Sequence, residues 1–308
     1  QRPDLEAIYV PIGSGSGAAN ASGSDNVFVG AGTGALHTWG SENTYLGAGA
    51  GSSTSWGAMN TVVGHDAGRS ATANQNTLVG DRCGYSTTTG GLNTFLGKSA
   101  GYWNTTGSYN TFLGNQAGFF NSTAEFNTFV GFGSGYANTT GVNNTFLGAA
   151  SGDANTTGTA NTFIGRDAGT ANTTGASNVF LGFGAGGANT TAGSNVFIGS
   201  LSGAANTTGT NGVFVGVNAG QANTTGVSNT FIGGNAGQVN TTGNANTFLG
   251  TSAGIANNTG FDNTFLGTAT GLNNTAGNQN TYVGRSAGRL TTTGSSNTAL
   301  GNIAGYSN

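Results

Sequence analysis

One phrase returns every 17 residues along most of this 308-residue chain: Asn-Thr-Phe-Leu-Gly, two variable residues, Ala-Gly, two more, Asn-Thr-Thr-Gly, two more. A fixed short period overrides a reading in terms of ordinary domains, because equivalent residues must take equivalent places in one structure. Copies begin at 26, 43, 60, 76, 93, 110, 127, 144, 161, 178, 195, 212, 229, 246, 263, 280 and 297, with Gly212 in the Asn slot and the copy at 60 only 16 residues long. Numbering the phrase one to seventeen, positions five and nine are Gly in all seventeen copies, from Gly30 to Gly301 and from Gly34 to Gly305. Position four is always Val, Leu or Ile, position eight is always small, and position three is Phe in twelve copies.

Seventeen residues are too few for a helix-turn-helix repeat, and two or three glycines per copy would cripple a helix. The runs between glycines are rich in Thr, Phe, Val and Ile, which suit strands. The period therefore predicts an all-β fold, a parallel β-solenoid (β-roll or β-helix) of about seventeen 17-residue coils, oligomeric or filamentous. At a strand spacing of ~4.8 Å such a stack is a rod roughly 80 Å long. Sixty glycines without a Gly-X-Y period exclude collagen, and strict register of the apolar positions argues against disorder. The short third copy is expected to lose one turn residue at a corner. Residues 26–308 form the repeat domain. Residues 1–25 read as out of register, with "LEAIYVPIG" a cap or linking strand and "GSGSGAANASGSD" a flexible link. Leu5, Ile8, Tyr9 and Val10, with Ile303 and Tyr306 at the other end, are then candidate residues of a head-to-tail joint.

Stacking in register puts each residue above its counterpart and makes columns. The largest is Phe95, Phe112, Phe129, Phe146, Phe163, Phe180, Phe197, Phe214, Phe231, Phe248 and Phe265. Adjacent side chains in a strand point to opposite faces, so the Phe and Leu columns cannot both be inside. The exposed one would exceed the few hundred Å² of apolar patch that a soluble monomer tolerates. It is expected to be buried against another chain, most simply in a threefold fibre. Position four tolerates only aliphatics, as a tight interior does, so the expectation is Leu inside and the Phe column at the interface. The small position eight argues the other way, as a complement to a large ring.

Chemistry is sparse. Ten acidic and seven basic residues are scattered over many coils, and His37 and His65 fall at different positions. No Cys/His cluster has metal spacing, no calcium-binding nonapeptide occurs, and no cofactor is expected. Cys83 fills a slot that is Ala in most copies and reads as a small buried filler. Gly-x-Gly strings such as that around Gly49 lack the Lys and helix of a phosphate loop. A net charge of −3 without a basic stripe makes nucleic acid a poor partner, and no apolar run spans a membrane. No signal-peptide pattern opens the chain, which reads as a trimmed product. Asp66 and Arg82 share position seven in successive coils and are expected to stack as an ion pair.

Two surface features stand out. Tyr85, Tyr102, Phe119 and Tyr136 all fall at position ten, with Trp103 and Phe120 at eleven and Tyr109 and Phe126 at seventeen. Stacked, they make an aromatic band. It packs against the N-terminal segment or a neighbouring chain, or it contacts surface carbohydrate. The triplet Asn-Thr-Thr recurs from Asn104 to Asn240, and its Asn and second Thr are expected to share a face. Such an array solvates a rod, or orders water as in ice binding, and the triplets are also N-glycosylation acceptors.

The phrase "NTFLGxxAGxxNTTG", over residues 26–308, resembles the repeats of bacterial and phage surface fibres. It is similar to the coils of trimeric autotransporter adhesin heads, and closer to the shafts that precede endosialidase-type intramolecular chaperone domains. That resemblance implies an extracellular, cell-surface or virion location, trimeric or filamentous self-assembly, and adhesion. The expectation is a non-enzymatic structural subunit of an extracellular fibre, acting as scaffold or adhesin. The alternative is an ice-binding protein that uses the Asn-Thr-Thr array.

Overall fold

The computed structural model describes residues 10–306, and the chain divides into two compact units, 1–157 and 158–308. Both are built from the same three-residue strand. The first unit contains β1 (Val10–Ile12), β2 (Val27–Val29), β3 (Thr44–Leu46), β4 (Thr61–Val63), β5 (Thr77–Val79), β6 (Thr94–Leu96), β7 (Thr111–Leu113), β8 (Thr128–Val130) and β9 (Thr145–Leu147). The second runs from β10 (Thr162–Ile164) to β18 (Thr298–Leu300). Within each unit every strand pairs in parallel with the next in sequence, like on like: Phe112 with Phe129, Phe129 with Phe146, Phe180 with Phe197. No helix occurs among the described residues. The chain is a parallel β-solenoid of about seventeen turns, as the period predicts.

The first turn begins earlier than the sequence reading placed it. β1 pairs with β2 in the common register, Val10 to Val27 and Ile12 to Val29. Gly13, Gly15 and Gly17 take φ of 125°, 68° and 55°, the values found at positions five, seven and nine elsewhere. Asn20 occupies position twelve and bonds Gly23 O at 3.1 Å, as the later asparagines do with their own coils. Residues 10–25 are thus a coil of the stack, not a flexible link. Pro11 in the Phe slot and Tyr9 in the Asn slot hide it from a search on the phrase. The short third copy lacks the glycine of position fifteen: Asn60 Nδ2 donates to Ala73 O, one residue nearer than the Gly57 that accepts from Asn43.

The second correction concerns which column faces inward. From β2 to β18 each strand is exposed, buried, exposed or close to it, and the buried member is position three; in β1 Pro11 holds that place and is exposed. Phe95 to Phe146 and Phe163 to Phe265 are fully buried, while Leu96 is 45 % exposed. The reason lies across the coil. Position nine has φ near +58°, and a Cβ on Gly118 would stand 2.5 Å from the Phe112 ring. The ring lies flat on the bare glycine, and the small residue at position eight closes the same corner. Large ring, small residue and glycine are one packing unit. The Leu column cannot replace it, because that would slip the strand by one residue and turn Thr inward. The rings stack at 4.6–5.1 Å with interplanar angles of 15° or less. The Phe residues, expected at an interface, are instead the core of the single chain, buried by its own coils.

Two columns of buried asparagine complete the interior. At position one, the Asn110 backbone N–H donates to Asn93 Oδ1 (2.9 Å) and its Nδ2 donates to Ala124 O (2.8 Å). At position twelve, Asn121 Nδ2 donates to Asn104 Oδ1 and Asn206 Nδ2 to Asn189 Oδ1, at 2.8 and 2.9 Å. Six buried side-chain polar atoms lack a partner among the described residues: Asn20 Oδ1, Tyr45 Oη, Thr87 Oγ1, Asn274 Oδ1, Tyr282 Oη and Thr291 Oγ1. All six sit at or beside departures from the phrase. The tyrosines stand in Phe slots, Thr87 and Thr291 in Asn slots, and Asn20 and Asn274 lie one coil before His37 and Thr291. Not every departure fails: Thr54, also in an Asn slot, donates to Gly51 O, and His37 bonds Gly40 O. The repeat is therefore a solution to buried hydrogen bonding whose failures fall at or beside alterations of the phrase.

Candidate functional site

With the interior filled, chemistry must come from the outward columns. The outer face of the sheet carries positions two and four. Position four is Ile12, Val29, Leu46, Val63, Val79, Leu96, Leu113, Val130 and Leu147 in the first unit, an aliphatic column open to solvent along nine strands. In the second unit Leu181, Leu249, Leu266 and Leu300 are its most exposed members. Thr fills most of position two beside it.

The aromatic band forms. Tyr85, Tyr102, Phe119 and Tyr136 stack face to face at 5.0, 5.2 and 5.1 Å. Arg69 caps the column, its Cζ 5.5 Å from the centroid of Tyr85 and its guanidinium donating to Tyr85 Oη at 2.6 Å. Trp103 stands edge-on to Tyr102 (70°) and Phe120 edge-on to Phe119 (83°). Faces within the column are consumed by the neighbouring rings, so only Trp103 and Phe120, 46 % and 40 % exposed, lie against the grain of the stack. Asp153 follows Tyr136 at position ten, and burial raises its carboxyl above the ordinary range.

The polar cluster nearby is arranged differently from the expected Asp66–Arg82 pair. His65 Nδ1 lies 3.1 Å from Asp81 Oδ1, His65 Nε2 lies 3.7 Å from Asp66 Oδ2, and Lys98 Nζ lies 3.9 Å from Asp81 Oδ2. These are exposed contacts of little energetic weight. Cys83 is buried, its Sγ 3.4 Å from Phe95 O, and burial pushes its thiol up to about 12. Ser134 and Ser202, in the same slot, donate to the equivalent carbonyls of Phe146 and Phe214. No group of three or more His, Cys, Asp or Glu that could hold a metal occurs among the described residues. No helix is long and apolar enough to cross a membrane.

The Asn-Thr-Thr array does not take the expected form. Asn104, Asn138, Asn155 and their counterparts are fully buried, their amides engaged in the interior column. The first Thr turns its hydroxyl to the next coil: Thr105 Oγ1 donates to Ser122 O and Thr207 Oγ1 to Thr224 O. Only the second Thr is free, so Asn and Thr do not share a surface. The same burial shields these Asn Nδ2 atoms from glycosylation in the folded coil.

A third surface was read only in part: Tyr109 and Phe126 were expected within the aromatic band, while the tryptophan pair and the groove beside it escaped the sequence reading. Trp39 and Trp56 stack at position fourteen, 6.1 Å apart and 58 % and 64 % exposed. Tyr109 and Phe126 stack at position seventeen at 5.0 Å. Between the two pairs, where the third copy drops its glycine, lies a shallow groove of about 470 Å³ lined by residues of positions thirteen to seventeen in three successive coils. The signal for it was in the sequence: Trp replaces Thr in the two copies before the short one. Of the residues expected at a joint, Leu5, Ile8 and Tyr9 lie outside the described residues. Val10 pairs within its own chain, Ile303 is exposed, and Tyr306 O accepts from Leu290 N–H.

No family model matches this chain, and no curated protein or solved structure is significantly similar to it.

Proposed function

We propose that this chain is a non-enzymatic structural subunit of an extracellular fibre, a stiff scaffold or adhesin that assembles with copies of itself. The observation that carries the reading is the outward column at position four. A solvent-facing site has no packing reason to be Val, Leu or Ile in every coil, yet here it is. In the first unit the outer sheet face spans three residues by nine strands, roughly 400 Å² at ~3.3 Å per residue and ~4.8 Å per strand. Position four takes about half of that face, and it does so as an unbroken aliphatic stripe rather than as the singly scattered apolar residues that are normal on a surface. Thr beside each aliphatic keeps the face flat and able to hydrogen-bond. Trimeric packing about this face would bury it. Head-to-tail growth would reuse the bonds between coils, in which the position-five N–H donates to the position-four carbonyl of the coil before it, as Gly30 N–H does to Ile12 O at 2.7 Å. An ice-binding role would have to rest on the Thr columns of positions two and fourteen, since the Asn of the Asn-Thr-Thr array is inside.

The test replaces Leu96, Leu113, Val130 and Leu147 with Ser and follows assembly by negative-stain electron microscopy and sedimentation. Lateral assembly of the parent chain and its loss in the folded variant are expected. Assembly unchanged in the variant, or a monomeric parent that shows thermal hysteresis, would sink the reading.

A further inference from the structure

The groove at the short third copy is a concavity in which the repeat departs from its own rule. It exists for two local reasons. The copy lacks its position-fifteen glycine, and Gly91 leaves position sixteen of the next coil bare, so a Cβ there would touch the Asn74 carbonyl at 3.0 Å. Its volume of about 470 Å³ lies in the range of small-molecule sites.

The lining specifies a ligand class. None of the residues that form it carries a charge, which gives an anion no counter-charge. Asn74 Oδ1 accepts the Ala58 N–H at 2.9 Å, which orients the amide and leaves its NH₂ with two donors. Gln75 and Thr89 add an amide and a hydroxyl, groups that both donate and accept. Ser108 Oγ donates to Thr106 O at 3.4 Å and accepts the Gly91 N–H at 3.2 Å, which leaves it one lone pair to accept from a ligand hydroxyl. The aromatic pairs end at this groove from opposite sides. Trp56 is covered by Trp39 on one face, and the next residue in its column is Ala73, a lining residue. Tyr109 is covered by Phe126 on one face and lines the groove itself. Neutral amides and hydroxyls between two aromatic platforms suit a ligand with hydroxyl edges and weakly polar C–H faces. We propose that this groove binds a neutral saccharide chain, its rings resting on Trp56 and Tyr109 and its hydroxyls bonded by Asn74, Gln75 and Ser108. The band around Tyr102 is a poorer candidate, because its ring faces are spent on one another.

The proposal deepens the adhesin part of the reading above and rests on it for its biological meaning, yet its test needs no assembly. The probe is native electrophoresis of the soluble chain through gels containing, in turn, neutral glucan, mannan, galactan or soluble chitin oligomers. Retardation by at least one is expected, weakened at least tenfold by Trp56→Ala with Tyr109→Ala and unchanged by Trp103→Ala with Phe120→Ala. A second variant inserts one glycine between Ala73 and Asn74. It restores a 17-residue copy and closes the groove without removing a side chain, so it should melt no lower than the parent and lose binding. The position-four serine variant, defective in assembly, should bind as the parent does, which separates failure of the fibre reading from failure of this one. No retardation by any of the polymers would overturn the proposal. So would binding that survives the glycine insertion, or binding that Trp103→Ala with Phe120→Ala abolishes.

Discussion

Two glycines of one coil, Gly131 and Gly133, both have positive φ, and alanine should treat them very differently. Gly131 is at position five with φ +135°, a region that L-residues rarely enter. A Cβ there would stand 2.5 Å from Gly148 O and 2.6 Å from Gly148 C in the next coil. Ordinary contact needs about 1 Å more, so the coils must part locally. The bonds beside it, Gly148 N–H to Val130 O at 2.8 Å and Ala150 N–H to Phe132 O at 2.9 Å, would then stretch past hydrogen-bonding length. Two buried bonds left unmade, at about 1–2 kcal/mol each, and a strained φ worth about 1–3 kcal/mol give roughly 5 kcal/mol. Gly133, at position seven, has φ +60°, and its Cβ would meet only Asp153 Oδ1 at 3.7 Å. Ala150 and Ala269 already occupy this position with φ of 53° and 56°. A left-handed alanine costs about 1–2 kcal/mol, offset by about 0.4–1 kcal/mol from a stiffer unfolded chain. The net is about 1 kcal/mol or less. Repeat stacks unfold locally, so the readout is hydrogen exchange at the Gly148 and Ala150 amides rather than one melting curve. Gly131→Ala should cut their protection by about a thousandfold, and Gly133→Ala by less than tenfold. Equal effects would refute the argument that close approach between coils fixes Gly at position five.

Repairing the altered phrase should stabilise the chain. Thr291→Asn places an amide at position twelve, where it can donate to the orphaned Asn274 Oδ1; a rise of about 1–2 kcal/mol in local stability, read by exchange in residues 274–294, is expected. Tyr282→Phe removes a buried hydroxyl without a partner while keeping the ring stacked on Phe265, and thermal melting should rise rather than fall. His37 is buried between Phe28 and Tyr45, and desolvation lowers its pKa below the ordinary 6.5. The unfolded chain therefore binds the proton more readily, so the stability His37 contributes is full above about 6.5 and is lost as pH falls through the depressed value. Melting of the first unit between pH 7.5 and 4.5 should show this loss. His37→Asn should flatten the profile and also supply a donor to Asn20 Oδ1; a profile unchanged by the substitution would argue that another group titrates.

The fold was legible because the period is a global constraint, while the direction of the side chains was not, because period alone is indifferent to it. Position four looked like a core position on tolerance, since only aliphatics occur there. The deciding fact was a relation across the coil, that position nine is Gly in every copy. Its φ near +58° is one that Asn, Ser and Ala adopt at position seven without difficulty. Conformation alone therefore does not demand glycine at position nine; the Phe ring against its Cα does. Asn at position twelve misled for a related reason. In a linear reading Asn-Thr-Thr is polar and belongs outside, yet stacking gives each amide a donor and an acceptor at a fixed distance in the neighbouring coils, and a buried amide so satisfied has no need of water. The coil at 10–25 was missed because Pro11 and Tyr9 replace the two residues by which the phrase is recognised, while its glycine spacing was intact.

Which positions vary then acquires a meaning. Positions one, three, five, eight, nine and twelve are held by hydrogen bonds, ring packing or close approach, and substitution there can leave a buried atom without a partner, as at Thr291 and Tyr282. Positions six, seven, ten, eleven, sixteen and seventeen touch no other coil's interior and are free to differ. In the second unit position ten runs Thr170, Gly187, Ala204, Gln221, Gln238, whereas the first unit places Arg69, Tyr85, Tyr102, Phe119 and Tyr136 there. The exposed aromatics concentrated in the first unit are not required by the coil, since the second unit, which exposes only Phe183 and Phe261 among its described residues, folds to the same strand register. The columns that cannot change hold the stack together, and the differences between one coil and the next are confined to the columns that can.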